Sequence, residues 1–110
     1  MKVVLSPLAV INIKKLSKKY KSITGDIDGF IKKIRDNKSI LSDRIQGIKL
    51  PIYKTRVKNS SNNKGKSGGF RVIYHLRVND TLYILSIYSK SDQGNLDKEH
   101  IISSLKDLDF

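Results

Sequence analysis

The chain has 110 residues, which predicts a single domain over residues 1–110, and it contains no cysteine, which excludes disulfides, thiolate metal sites and a cysteine nucleophile. Lysine and arginine number 22 against 10 aspartates and glutamates, and the resulting formal charge of +12 favours a polyanionic partner such as nucleic acid, anionic lipid or an acidic protein. The first residues lack the pattern of a cleavable signal peptide, so we expect a soluble, cytoplasmic protein.

The N-terminal part of the sequence predicts a short strand and two helices. Residues 2–5 can form an edge strand, after which Ser6 and Pro7 suit the N-cap and the first position of a helix that runs to about Tyr20. A second helix is expected from about Thr24, because apolar side chains recur at helical spacing. The two helices predict a helical hairpin packed on one face of a sheet.

The C-terminal part predicts three strands and a final helix. After the irregular segment SDRIQGIKLP, residues 52–58 alternate in polarity, and further strands are expected at about 70–77 and 82–89. The intervening stretch NSSNNKGKSGG is typical of a mobile loop, and a short amphipathic helix is expected from Asp97. The order βααβββα predicts an α+β fold: an antiparallel sheet, an N-terminal helical hairpin on one face and a short C-terminal helix.

The letters GKS at residues 65–67 match the end of a phosphate-binding P-loop. That motif needs a further glycine where this chain has Ser60, and it must open a helix. The residues that follow, FRVIY, alternate like a strand instead. We therefore predict no nucleotide site here.

Positive charge is concentrated in the middle of the sequence. There is no acidic residue between Asp43 and Asp80, although a surface charged only for solubility would mix both signs. The basic residues in that interval are Arg44, Lys49, Lys54, Arg56, Lys58, Lys64, Lys66, Arg71 and Arg77. Among these we predict binding of RNA for Lys49, Lys58, Lys64, Lys66 and Arg77.

A tight hairpin through Asn79 and Asp80 would collect reactive side chains on one face of the sheet. In that register Phe70 lies opposite Ser89 and Arg71 opposite Tyr88. One face then holds the apolar set Phe70, Val72, Tyr74, Leu76, Tyr83, Leu85, Ile87 and Ser89, and the reverse face holds Arg71, Ile73, His75, Arg77, Leu82, Ile84, Ser86 and Tyr88. We expect the reverse face to be open, with a catalytic set of Lys54, Arg56, Arg71, His75, Tyr88 and Lys90.

Such a face suits RNA chemically. RNA supplies its own nucleophile, the 2′-hydroxyl, so cleavage needs a proton acceptor, cations at the scissile phosphate and an acid at the leaving 5′-oxygen. The lack of carboxylates in the basic segment argues against a two-metal nuclease. The two imidazoles, His75 and His100, lack metal-ligand spacing, so we predict neither a metal nor another cofactor.

Three segments, YKTRVKN, KGKSGGFRVIYH and LYILSIYSKSDQGNL, together resemble the RelE/ParE superfamily of bacterial toxins, most closely its RelE and HigB-like branch. The resemblance covers roughly residues 50–96. It implies a RelE-like fold and the toxin of a type II toxin-antitoxin system. It also implies an mRNA interferase: a metal-independent, ribosome-dependent endoribonuclease that inhibits translation. The implied partners are the ribosome, mRNA and a cognate acidic antitoxin that wraps around the toxin.

The resemblance also assigns residues. Lys54 and Arg56 match the family's basic pair on the second strand, Arg71 matches its phosphate-stabilising arginine, and Lys90 falls where relatives often have an arginine. The family's later catalytic tyrosine aligns near Leu96, so the proton acceptor and donor stay open, with Tyr88 and His75 as substitutes. Two alternatives remain: a ParE-like DNA gyrase inhibitor, and a non-enzymatic basic module that binds nucleic acid.

Overall fold

The structure is a computed structural model that describes residues 1–37, 40–61, 69–77, 80–92 and 98–108. Its elements are β1 (Lys2–Leu5), α1 (Pro7–Lys19), α2 (Ile23–Arg35), β2 (Ser42–Arg44), β3 (Tyr53–Val57), β4 (Phe70–Arg77), β5 (Thr81–Ser89) and α3 (Lys98–Asp107). The predicted α+β class, the N-terminal pair of helices and the C-terminal helix are confirmed. The longest helices have 13 residues, and none within these ranges has the length and apolar character needed to cross a membrane.

The five strands form one sheet in the order β1-β5-β4-β3-β2. Strands β3, β4 and β5 pair antiparallel as predicted, β2 pairs antiparallel with β3, and β1 pairs parallel with β5. β2, which runs along part of β3, was not predicted. Its three residues, Ser42–Arg44, are polar and mainly exposed, so they carry no alternation that could reveal a strand.

Ser6 and the start of α1 complete the edge of β5 where β1 ends. The Ser6 hydroxyl accepts a hydrogen bond from the Ala9 amide (3.0 Å), which confirms the predicted N-cap. The same hydroxyl donates to the carbonyl of Leu85 (2.6 Å). One turn further along, the side-chain oxygen of Asn12 accepts a bond from the Ile87 amide (2.9 Å). Polar side chains from α1 thereby satisfy buried backbone groups of β5 that β1 is too short to reach.

The β4–β5 pairing follows the predicted register over only half its length. Phe70 pairs with Ser89 and Arg71 with Tyr88 as expected, but the register shifts by one residue between Ile73 and Tyr74. The turn explains the shift: the Asp80 amide donates to the Arg77 carbonyl (3.0 Å), Asp80 has φ of 67°, and Arg77 pairs with Thr81. The connection is therefore longer than the two-residue turn of the prediction.

The register shift is a bulge in β5, and it moves several β5 side chains to the face opposite to the predicted one. Leu82 and Ile84 pack against the helical hairpin, although we predicted them on the reverse face. Leu85 and Tyr83 pack on the reverse face, although we predicted them under the helices. An extra residue in a strand with a period of two inverts every side chain beyond it, which is why the face assignments in the turn-proximal half were wrong.

The sheet is covered on both faces. The helix-face core, under α1 and α2, contains Ile23, Ile27, Phe30, Phe70, Val72, Tyr74, Leu82, Ile84 and Ile87. The reverse-face core, under α3 and the segment before β3, contains Ile52, Ile73, Leu85, Tyr88, Ile101 and Leu105. The prediction of an open reverse face was wrong: Arg71, His75 and Tyr88 are only 5%, 5% and 4% exposed. The apolar side chains Ile73 and Leu85 make that face a docking surface for α3.

Gly69 is required where the chain enters β4, and this gives a stability prediction. A β-carbon at Gly69 would lie 2.4 Å from the carbonyl oxygen of Val57, a backbone atom that cannot move without disturbing the β3–β4 pairing. We expect Gly69→Ala to lower the free energy of unfolding by at least about 1 kcal/mol. Gly29→Ala is the matched control: it lies within α2, nothing would meet its β-carbon within 4 Å, and it should stabilise by roughly 0.5–1 kcal/mol. Urea unfolding of both variants measures the difference, and equal effects would contradict the close approach.

Candidate nucleic-acid interface

A groove of about 780 Å³ lies between α2 and the basic end of β3. Its walls come from α2, the segment 40–43, β3 with the residue that follows it, and single residues of β4 and of the chain after β5. Six of its lining side chains are cationic: Lys33, Lys54, Arg56, Lys58, Arg71 and Lys90. Two are carboxylates, Asp26 and Asp43. The groove is therefore strongly positive and suited to a phosphate-bearing ligand.

The shortness of β2 leaves part of β3 uncovered along this groove. β2 pairs with Tyr53, Lys54 and Thr55 and goes no further. Beyond that point Arg56 is exposed and Val57 half-buried, and both line the groove. Because side chains alternate along a strand, the lining includes both faces of β3, with cations on one face and Thr55 and Val57 on the other.

Arg56 and Arg71 form the electrostatic centre of the groove. They are direct partners across β3 and β4, so two like charges lie side by side on one face, an arrangement that costs stability. Burial and, next, the positive charge of Arg56 lower the pKa of the Arg71 guanidinium from its ordinary value. The Arg71 Nη1 atom also donates to the carbonyls of Gly69 (3.4 Å) and Phe70 (3.5 Å). An anion bound between the two guanidiniums would offset their repulsion.

Lysines flank this arginine pair on both sides. Lys54 is half-buried and shares a face with Arg56, two residues further along β3. Lys90 is exposed and follows β5, and its amide donates to the Gly69 carbonyl (3.0 Å), which fixes it beside the start of β4. The groove thus brings together four of the six predicted catalytic residues, Lys54, Arg56, Arg71 and Lys90, with Lys58 from the predicted RNA-binding set.

His75 and Tyr88, the predicted substitutes for proton transfer, do not line the groove. His75 is buried on the reverse face, where its Nδ1 lies 2.8 Å from the Pro51 carbonyl and its ring stacks on Tyr83 at 6.1 Å between centroids. Tyr88 belongs to the reverse-face core with Ile101. The alternation of side chains along β4 and β5 correctly predicted that both residues lie on the reverse face. It could not show that α3 and the segment before β3 cover that face.

The other predicted RNA-binding residues lie apart from the groove or outside the described residues. Lys49 is exposed, and its carbonyl accepts a bond from Arg44 (3.4 Å). Arg77 is exposed at the turn end of β4, with its guanidinium carbon 5.4 Å from the centroid of the Tyr83 ring. Lys64 and Lys66 belong to residues 62–68, outside the described part of the chain.

One wall of the groove comes from α2, and it was not predicted from the sequence. Gly25, Gly29 and Lys33 are four residues apart and line the groove from one side of α2. That spacing was visible in the sequence, because residues at i and i+4 share a helix face. The second helix was assigned to core packing alone, and its polar side was not considered.

Asp26 fixes the end of β3 against α2. Its Oδ2 accepts bonds from the Ser22 hydroxyl (2.7 Å) and the Ser60 amide (2.9 Å), and its Oδ1 accepts one from the Ser60 hydroxyl (2.6 Å). Ser61 adds a further bond from its hydroxyl to that of Ser22 (2.6 Å). This network holds the backbone just after Lys58 at the groove, so Asp26 acts as a structural carboxylate there.

Within the described ranges, no three His, Asp or Glu side chains lie close enough together to hold a metal ion. The groove therefore offers cations and two carboxylates for its chemistry. Comparison with known proteins adds no assignment: no protein-family model matches the sequence, and no curated protein is significantly similar to it.

Proposed function

We propose that this chain is the toxin of a type II toxin-antitoxin system and acts as a ribosome-dependent mRNA endoribonuclease of the RelE and HigB-like kind. One observation carries the proposal: the cross-strand pair Arg56 and Arg71, flanked by Lys54 and Lys90, lies in one cationic groove. Two adjacent guanidiniums can bind a phosphodiester through several parallel N–H donors, which lysines alone cannot do. Holding them together costs stability, and a bound phosphate offsets that cost.

The chemistry follows from what RNA brings to such a groove. The 2′-oxygen attacks the adjacent phosphorus, the bond from phosphorus to the 5′-oxygen breaks, and negative charge accumulates on the phosphoryl oxygens. Fixed cations at those oxygens stabilise the transition state more than the ground state. The ribosome would supply much of the orientation of the 2′-oxygen for in-line attack. Because RNA carries its own nucleophile, the reaction does not depend on a metal-activated water.

An acidic antitoxin is the proposed inhibitory partner, in the cytoplasm where ribosomes work. The formal charge of +12 supports an acidic partner. A second feature of the groove supports an amphipathic one: Leu41, on its wall, is 94% exposed and lies beside the cations. An acidic segment with apolar side chains would cover both.

Binding of nucleic acid without cleavage is the second candidate. The position of His75 and Tyr88 favours it, since both predicted proton-transfer groups lie outside the groove. A ParE-like gyrase inhibitor is the third candidate function, and the expression experiment described next separates it from the other two.

Brief expression of the chain in bacteria tests the proposal. We expect growth arrest and new mRNA 5′ ends inside translated frames, mapped by primer extension, because the ribosome positions the substrate. The same transcript with its start codon removed should stay intact and serves as the control. Arrest with intact mRNA and damaged DNA would favour the gyrase reading. Intact mRNA and intact DNA, with RNA binding by the purified chain, would favour the non-enzymatic module.

A further inference from the structure

The groove needs a group that accepts the proton of the 2′-hydroxyl, and the candidates named from the sequence are not in it. His75 is buried at the Pro51 carbonyl and Tyr88 belongs to the reverse-face core, and neither is among the described residues that line the groove. Arginines stay protonated at working pH and cannot accept a proton. A lysine is a proton donor in its cationic form, so among the described lining residues the side chains with a negative charge that can accept the proton are the two carboxylates, Asp26 and Asp43.

These two carboxylates differ in how they are engaged. Both oxygens of Asp26 accept hydrogen bonds from Ser22 and Ser60, so its lone pairs are committed to the fold. Asp43 is exposed on β2, and no hydrogen bond or ion pair joins its side chain to another described residue. An engaged carboxylate is a poor base, because accepting a proton would break its existing bonds. Asp43 can accept a proton without breaking a hydrogen bond to another described residue.

The sheet order gives Asp43 a position suited to in-line chemistry. It is the direct partner of Lys54, so it shares the face of Arg56 and Arg71, and side chains in such partners lie about 4.5–5.5 Å apart at Cβ. On this face the pair Asp43–Lys54 is the neighbour of the pair Arg56–Arg71 along β3, and Lys90 lies at the opposite end of the arginine pair, beside Gly69. A phosphate held by the two arginines therefore has a carboxylate on one side and an ammonium on the other.

We propose that Asp43 is the proton acceptor of the cleavage reaction, an inference that rests on the function proposed above. As the bond from the 2′-oxygen to phosphorus forms, the 2′-proton passes to the Asp43 carboxylate. As the bond from phosphorus to the 5′-oxygen breaks, that oxygen takes a proton from the Lys90 ammonium. The products are a 2′,3′-cyclic phosphate and a 5′-hydroxyl, and proton exchange with water restores both side chains.

Asp43→Asn tests this, because it keeps the shape of the side chain and removes its ability to accept the proton. We expect the single-turnover rate of cleavage of ribosome-bound mRNA to fall roughly 10²-fold, the scale for loss of a general base. Binding of a substrate with 2′-deoxyribose at the cleavage position should be unchanged or tighter, since a negative charge has left a cationic groove. Asp28→Asn is the matched control: it makes the same charge change at an exposed position of α2 outside the groove and should keep the wild-type rate.

The pH dependence separates a proton acceptor from a merely structural residue. The wild-type rate should rise from acidic pH as the carboxylate loses its proton, and this rise should be absent in Asp43→Asn and retained in Asp43→Glu. The other charged groups that line the groove are Asp26, whose bonds fix it, and the basic side chains Lys33, Lys54, Arg56, Lys58, Arg71 and Lys90. A wild-type rate for Asp43→Asn, or a reduced rate with the wild-type pH profile, would overturn the inference alone. A wild-type chain that cleaves nothing would overturn the proposed function, and this inference with it.

Discussion

Arg71→Met should lower the single-turnover rate of mRNA cleavage by roughly 10²-fold or more while the protein remains folded. The rate falls because a cation that stabilises charge in the transition state is lost, and removal of one such group typically has an effect of this size. Methionine is chosen over alanine because Arg71 is almost fully buried and alanine would leave a cavity. We expected an exposed arginine from the sequence, and its burial changes the substitution that separates chemistry from folding.

Stability should move in the opposite direction from activity. Burial and the charge of Arg56 lower the pKa of Arg71, which means that the folded chain disfavours the charged form. The unfolded chain has no such preference, so the cost is present at every pH below the range in which arginine loses its proton, and neutral pH lies within it. Removing the charge should therefore leave the free energy of unfolding unchanged or raise it.

Arg77→Met is the matched control for this substitution. It removes the same side chain from the same strand, but Arg77 is exposed at the turn end of β4 and lies outside the groove. The single-turnover rate at saturating ribosome concentration should stay near wild type, because Arg77 was predicted to bind and not to react. Stability should fall by no more than about 1 kcal/mol with loss of the contact to the Tyr83 ring. Equal rates for the Arg71 and Arg77 variants would contradict the assignment of Arg71 to the phosphate. A markedly destabilised Arg71→Met protein would contradict the electrostatic cost inferred from its position.

The sequence predicted most of the elements because each carries a local signal. Ser6 and Pro7 marked the start of α1, and alternating side chains marked β3, β4 and β5. β2 gave no such signal, since three exposed polar residues owe their strand conformation to pairing with β3 and not to their own preferences. Its discovery matters for the site, because β2 contributes Asp43.

The site was harder to predict than the fold because it depends on long-range packing. Pairing of neighbouring strands places Arg71 opposite Arg56 on one side and opposite Tyr88 on the other. Contacts of this kind can be inferred from the sequence once the register is known. Whether a face is open depends on what docks on it. α3 and the segment before β3 lie on the reverse face and remove Tyr88 and His75 from the surface, so the accessible cations of β3 are at the end that β2 leaves unpaired, where the groove opens beside α2.

Ile101→Ala should be the most destabilising substitution in α3, costing about 2–4 kcal/mol of the free energy of unfolding. Ile101 is 1% exposed and packs in the reverse-face core, so truncation loses apolar contact and leaves a cavity in that core. The adjacent Ile102 is 41% exposed, and Ile102→Ala should cost less than about 1 kcal/mol. Both changes replace isoleucine by alanine within one helix, so their effects on helix propensity cancel and the difference reports burial.

Urea unfolding gives the two free energies, and hydrogen exchange across α3 shows which variant releases the helix. Exchange in Ile101→Ala should accelerate along α3 first, because α3 contacts the sheet mainly through β5 and holds it through few buried side chains. None of the described residues that line the groove belongs to α3, so cleavage measured at a temperature where the variant is folded should stay near wild type. A cleavage rate that falls in step with release of α3 would instead mean that the helix positions Arg71 from beneath. The catalytic unit would then extend from the groove through the reverse-face core.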